Sequence, residues 1–135
     1  MYPMRTLTII IALLFCANIA DAQKRKVTTA YSFYTQEKLD RAKETIDEAM
    51  AHPDAVDFAK GYVVKGQIYQ AIFENSNEEV KKLDPNALNV AWEAYQKAME
   101  LDEKDKLAKE ITPQLQNLVF DFINQGVNNY NEKEY

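Results

Sequence analysis

The chain has 135 residues, a formal net charge of −5, three glycines, four prolines and one cysteine. That length suits one small domain, the acidic balance argues against a nucleic-acid backbone as partner, and a single thiol excludes an internal disulfide. From the N-terminus, Arg5 precedes an apolar run from Leu7 to Ala17, and Ala20-Asp21-Ala22 follows. The run is shorter than the roughly 20 apolar residues that span a bilayer. An Ala-x-Ala site before Gln23 completes the pattern of a secretory signal peptide over 1–22. A retained N-terminal anchor is the alternative. Acylation of Cys16 would want a small residue before it, where Phe15 stands. The expected mature chain, 23–135, is exported to the periplasm or beyond and meets the membrane only through its leader. Lys24-Arg25-Lys26 reads as its solvated start.

The mature region is rich in Ala, Leu, Lys and Glu and shows no alternating run of β-branched residues. It therefore predicts an all-α fold, supported by packing helices on helices. The first segment places Ala30, Phe33 and Tyr34 on one helix, Leu39 at a turn, and Ala42-x3-Ile46-x2-Ala49 on a second. The next places Tyr62-x2-Lys65-Gly66-x2-Tyr69 on one helix and Ala91-x3-Tyr95-x2-Ala98, ending in Leu101-Asp102, on another. A third begins at Phe122, puts Gly126 at the same small-residue position, and reaches Tyr130 and Tyr135. Two interruptions, 75–88 and 105–117, contain Asp84-Pro85 and Thr112-Pro113. An N-cap residue followed by proline predicts a helix restarting at each.

This pattern of an aromatic, a small residue beside a large one, Tyr, then Ala-x3-aromatic resembles the tetratricopeptide repeat, a helical hairpin of about 34 residues. Ala42 and Ala91 lie 49 residues apart and Gly66 and Gly126 lie 60 apart, so the excess over one repeat falls in the interruptions. The resemblance implies hairpins stacked as a short right-handed solenoid with an unfinished C-terminal repeat. Its parts are repeat one over about 23–56, repeat two over 59–105 with an insertion at 75–88, a linker helix over 106–117 and a partial repeat over 119–135. Ala30, Ala42, Ala49, Gly66, Tyr69, Ala91, Tyr95, Ala98 and Gly126 are the implied packing positions; helices of a repeat cross near Gly66 and Ala91, where larger side chains would force the backbones apart. The end at Tyr135 reads as a fragment of a longer, similar protein, of the kind exported by Bacteroidota-type bacteria.

Solenoids of this type use the concave face lined by the first helix of each repeat. The resemblance maps that face onto Val27, Tyr31 and Tyr34, then Val63, Gln67 and Gln70, then Ile123, Val127 and Tyr130. Such apolar, aromatic and amide side chains suit a protein or peptide partner. The Lys and Asn of relatives that clamp a terminal carboxylate are replaced here by Val27, Val63 and Gln67. Trp92, on a second helix, is expected to pack.

Catalytic chemistry finds little footing. The single histidine, His52, precedes Pro53 in a turn, and neither Ser32 nor Ser76 sits in a Gly-flanked elbow. Gly61, Gly66 and Gly126 form no phosphate-binding cluster. Asp102-Glu103-Lys104-Asp105 lacks the central glycine and distal glutamate of a calcium loop. The expected protein is a non-enzymatic interaction scaffold of the cell envelope, without cofactor or metal. Self-association through its open C-terminal end is the alternative, as is an activity encoded beyond Tyr135.

Overall fold

The computed structural model describes residues 21–132, and every regular element among them is a helix. Helix α1 is described over 21–35, followed by α2 (Leu39–Met50), α3 (Ala59–Glu74), the one-turn α4 (Glu78–Lys81), α5 (Ala87–Leu101) and α6 (Ala108–Asn131). A 3-10 turn, Pro53–Ala55, joins α2 to α3. The all-α expectation holds. Of the expected leader, 1–20 lie outside the described residues, and Asp21 and Ala22 are the first described residues of α1. Tyr135 also lies outside them.

Two helices show the one-sided pattern that turns a periodic sequence into a packed element. Leu39, Ala42, Ile46, Ala49 and Met50 are buried along α2, and Ala87, Leu88, Ala91, Ala94, Tyr95 and Ala98 along α5. Helix α3 differs. Val63, Val64, Ile68, Tyr69, Gln70 and Ile72 are all buried, so it is covered on several sides and forms the centre of the core.

Side-chain pairs give the directions of the helices. Lys26 meets Glu48 and Arg41 lies over the Phe33 ring, which makes α1 and α2 an antiparallel hairpin. Tyr62 lies near Lys97 while Gln70, two turns on, meets Tyr95, making α3 and α5 a second antiparallel hairpin, with Tyr95 beside Gly66. Asp47 to Tyr69 joins α2 to α3. Lys60 and Gln67 reach Glu110 near the start of α6 and Glu74 stands beside Asp121 further along it, so α3 and α6 run in the same direction, and Trp92 packs edge-on against Phe122 to join α5 to α6. The result is two layers: α1, α3 and α6 in one, α2 and α5 in the other.

The turns have identifiable chemistry. After α1, Glu37 takes a left-handed φ of 59°, while Lys38 N–H donates to Phe33 O and Glu37 N–H to Tyr34 O. This doubly bonded reversal closes a helix end, usually with glycine at the left-handed position. The 75–86 connection is built on side-chain caps: Asn75 accepts from Asn77 N–H, Asn77 from Glu79 N–H, and Asp84 from Asn86 N–H. A helix does restart near Pro85, at Ala87.

Near Pro113 the structure departs from expectation. Helix α6 begins at Ala108 and runs through Pro113 without a break, so no boundary separates a linker helix from a third repeat around 117–119. An interior proline removes one backbone hydrogen bond, here to the carbonyl of Lys109. Both residues are exposed, so water can take that carbonyl.

Candidate functional site

Along the first layer, α3 lies between α1 and α6, and two depressions run beside it. One, of about 240 Å³, is bounded by Tyr31, Lys60, Val64 and Glu110. The other, of about 110 Å³, is bounded by Tyr34, Gln67, Gln70, Glu74, Tyr95 and Gln114. Together they form a shallow groove whose two aromatic rings, Tyr31 and Tyr34, stand 5.8 Å apart and tilted by 40°.

A chain of side-chain hydrogen bonds forms the groove floor. The Tyr95 hydroxyl donates to Gln70 Oε1 at 3.0 Å, and Gln70 Nε2 donates to Glu74 Oε1 at 2.7 Å. Gln67 Nε2 donates to Glu110 Oε1 at 3.3 Å, while Lys60 Nζ holds Glu110 Oε2 at 3.2 Å. Burial, then the neighbouring Tyr34, pushes the Tyr95 hydroxyl well above its ordinary range. Burial likewise raises Tyr34, helped by Tyr31 and Glu74. Asp121 adds a carboxyl beside Glu74; burial, then the charge of Glu74, raises its pKa. Its Oδ2 is buried without a partner among the described residues. Glu74, Glu110 and the adjoining Asp121 thus share this surface with the ammonium groups of Lys24 and Lys60.

A second polar cluster lies between α2 and α3. Asp47 Oδ2 accepts from the Tyr69 hydroxyl at 2.6 Å and from Lys43 Nζ at 3.0 Å, and Lys65 Nζ stands 3.2 Å from Oδ1. Both ammonium groups also lie over the Tyr69 ring, 5.3 and 5.5 Å from its centroid. Burial alone would raise the Asp47 pKa, but the bonds from Tyr69 and Lys43 and the charge of Lys65 bring it below the ordinary carboxylate range. Burial, then Asp47, pushes the Tyr69 hydroxyl far upward. A carboxylate so neutralised and a phenol so reluctant to ionise make a structural clasp, with neither group poised to exchange a proton near neutral pH.

The nine residues expected on the groove divide three ways. Tyr31, Tyr34 and Gln67 line it. Val27, Val63 and Gln70 are buried: Val63 lies wholly in the core, while Val27 and Gln70 reach the groove only as parts of its floor, Gln70 as an internal hydrogen-bond bridge. Ile123, Val127 and Tyr130 are exposed, but on a different face of α6 from the one that meets α3. The alignment of Gly126 with Gly66 places the packed part of α6 too late. The part that packs carries Ile111, Leu115, Leu118 and Phe122, because α6 begins before Pro113. A Cβ on Gly126 would meet nothing within 4 Å among the described residues.

The other packing positions show the close fit that their size requires. Ala30, Ala42, Ala49, Ala91, Tyr95 and Ala98 are fully buried and Tyr69 nearly so. A Cβ on Gly66 would come within 2.6 Å of the Tyr95 ring. Trp92 packs against Phe122. The 75–88 insertion does not cross the groove at Tyr31 and Gln67. It lies at the end where α1 and α3 stop, with Val80 and Asn75 beside Tyr34 and Thr35.

Sequence reasoning missed Glu110 and Gln114 on the groove and Asp121 beside Glu74, because Thr112-Pro113 reads as a helix start. It also missed Asp47 as a hub. The spacing of Lys43 and Asp47, four residues apart on one helix, was the available signal. His52 proves to be a turn residue, its Nδ1 accepting from Asp54 N–H. Asp102 likewise accepts from Leu107 N–H in the turn before α6. No protein-family model, curated protein or solved structure matches the chain.

Proposed function

We propose that this chain is a non-catalytic protein-interaction scaffold of tetratricopeptide type, an adaptor of the cell envelope that receives a partner segment along α1, α3 and α6. Two hairpins would be two repeats, α6 the first helix of a third, and the stack a short right-handed solenoid. The observation that carries this reading is the parallel alignment of α3 with α6, with Gln67 beside Glu110 and Glu74 beside Asp121, which leaves Tyr31 exposed and Gln67 half-buried along the groove. Glu74, Glu110 and Asp121 against Lys24 and Lys60 leave the groove an excess of one carboxyl, suited to a segment that presents backbone N–H groups and a basic side chain. Export rests on Arg5, the apolar run and the Ala-x-Ala site in the sequence.

The test uses the chain as bait in envelope extract, beside a Tyr31→Ala, Gln67→Ala variant of unchanged helical circular dichroism. A partner held by the parent and lost by the variant supports the groove. Equal capture by both moves the contact off this face, and no captured partner argues against an adaptor.

A further inference from the structure

Helix α6 carries two apolar stripes, and among the described residues only one is covered. Ile111, Leu115, Leu118 and Phe122 belong to the packed side. Phe120, Ile123, Val127 and Tyr130 are 65, 56, 52 and 65 % exposed. At 3.6 residues per turn the two stripes point roughly 130° apart, so no adjustment of α6 on α5 buries both.

We propose that the exposed stripe is an interface for a second copy of this chain, with two α6 helices pairing antiparallel about a two-fold axis near Gln125. The stripe is self-complementary. Phe120 and Tyr130 lie five residues either side of Gln125, and Ile123 and Val127 two residues either side. Reversing the helix therefore sets aromatic against aromatic and aliphatic against aliphatic. An isologous contact demands this match of a surface with its own reversed image. The 3-4-3 spacing is that of a helix-pairing seam.

Charge selects the same occupant. From Thr112 to Asn131 the only charged side chain is Asp121, which faces Glu74 on the other flank; apart from the hydroxyls of Thr112 and Tyr130, the remaining polar residues are Asn and Gln. Helix α2, in contrast, turns Asp40, Arg41, Glu44 and Glu48 outward. Two copies of a chain with net charge −5 repel one another least where charge is missing. Gly126 flanks the axis with open space where a Cβ would sit, which allows the backbones to approach. A seam of about three turns buries less than the roughly 800 Å² per partner of a stable interface, so the pair exchanges with monomer. This inference does not depend on the groove.

The experiment is sedimentation of the whole chain against concentration. The parent's mass is expected to climb from 15.6 kDa toward twice that. Ile123→Lys with Val127→Lys places ammonium groups against ammonium groups in the pair and is expected to stay monomeric. Ile123→Lys with Val127→Glu sets each lysine opposite the other copy's glutamate only when the helices are antiparallel, and is expected to recover the dimer. Both variants alter exposed positions, and unchanged helical circular dichroism confirms their folding. A parent that stays monomeric, a lysine pair that dimerises like the parent, or a Lys–Glu variant that fails to recover would each overturn the proposal.

Discussion

The α3–α5 hairpin and the distal half of α6 are both helical and apolar, yet they stand in opposite physical situations. In the hairpin, Tyr95 is fully buried, its ring fills the space that Gly66 leaves open, and its hydroxyl is held by Gln70. In distal α6, Tyr130 is exposed and Gly126 borders empty space among the described residues. The same residue types, Tyr and Gly, carry different energies in the two places. A side chain's contribution comes from what it displaces water against, and only the hairpin supplies a partner surface within one copy.

The largest break in this contrast comes from deleting the two rings. Tyr95→Ala is expected to destabilise by about 3–5 kcal/mol through the cavity it leaves and the stranded Gln70. Tyr130→Ala, measured at dilution, should stay within about 0.5 kcal/mol; urea unfolding followed at 222 nm separates them. Equal effects would mean that distal α6 is packed within the monomer.

The glycines sharpen the contrast because the same substitution should change sign. Gly66→Ala drives a methyl into the Tyr95 ring and is expected to cost about 1–3 kcal/mol. Adding Tyr95→Leu should recover part of what the two single changes lose together, since the clash disappears. Gly126→Ala, in the interior of an exposed helix, should instead stabilise by about 0.5–1 kcal/mol. Thermal melts of the four variants at one concentration decide it.

Carboxyl groups extend the comparison to pH. Asp47, at the clasp between α2 and α3, has a folded pKa below its unfolded value near 4. Its contribution is therefore complete above about pH 4 and disappears as pH falls through the lower folded value. Asp47→Asn should cost about 1–3 kcal/mol at neutral pH by weakening the bonds of Tyr69, Lys43 and Lys65. Its stability should also fall less steeply in acid than the parent's. Asp121, facing Glu74 on α6, is raised instead. The penalty from its ionised form is absent below about pH 4 and complete once pH passes the folded value. Asp121→Asn should thus raise the melting temperature slightly at pH 7, and the gain should vanish in acid. This is the smallest of the expected effects.

Much of the hairpin was legible in the chain. Close helix crossings admit only small side chains, so Ala42, Ala49, Gly66, Ala91 and Ala98 announce their burial through a spacing that is local in sequence. Caps are equally local: Asn77 and Asp84 bond to N–H groups two residues on. Gly126 misled because a glycine at helical spacing looks the same beside a ring or beside solvent. Pro113 misled because its preference for a first turn is statistical, while the cost of one lost hydrogen bond at an exposed position is tolerable.

From residue types and period alone, the chain establishes helices and the spacing of small residues along them, since each depends on neighbours within about two turns; the pairing of helices into hairpins is implied only by the resemblance to a repeat. Tertiary structure alone decides which side chains that pattern exposes. Val27, Val63 and Gln70 disappear under neighbouring helices, Glu110 and Gln114 come to the groove from residues far along the chain, and α6 buries one apolar stripe while presenting the other. Burial depends on which surfaces meet, and a helix with two apolar stripes has no local means of choosing between them.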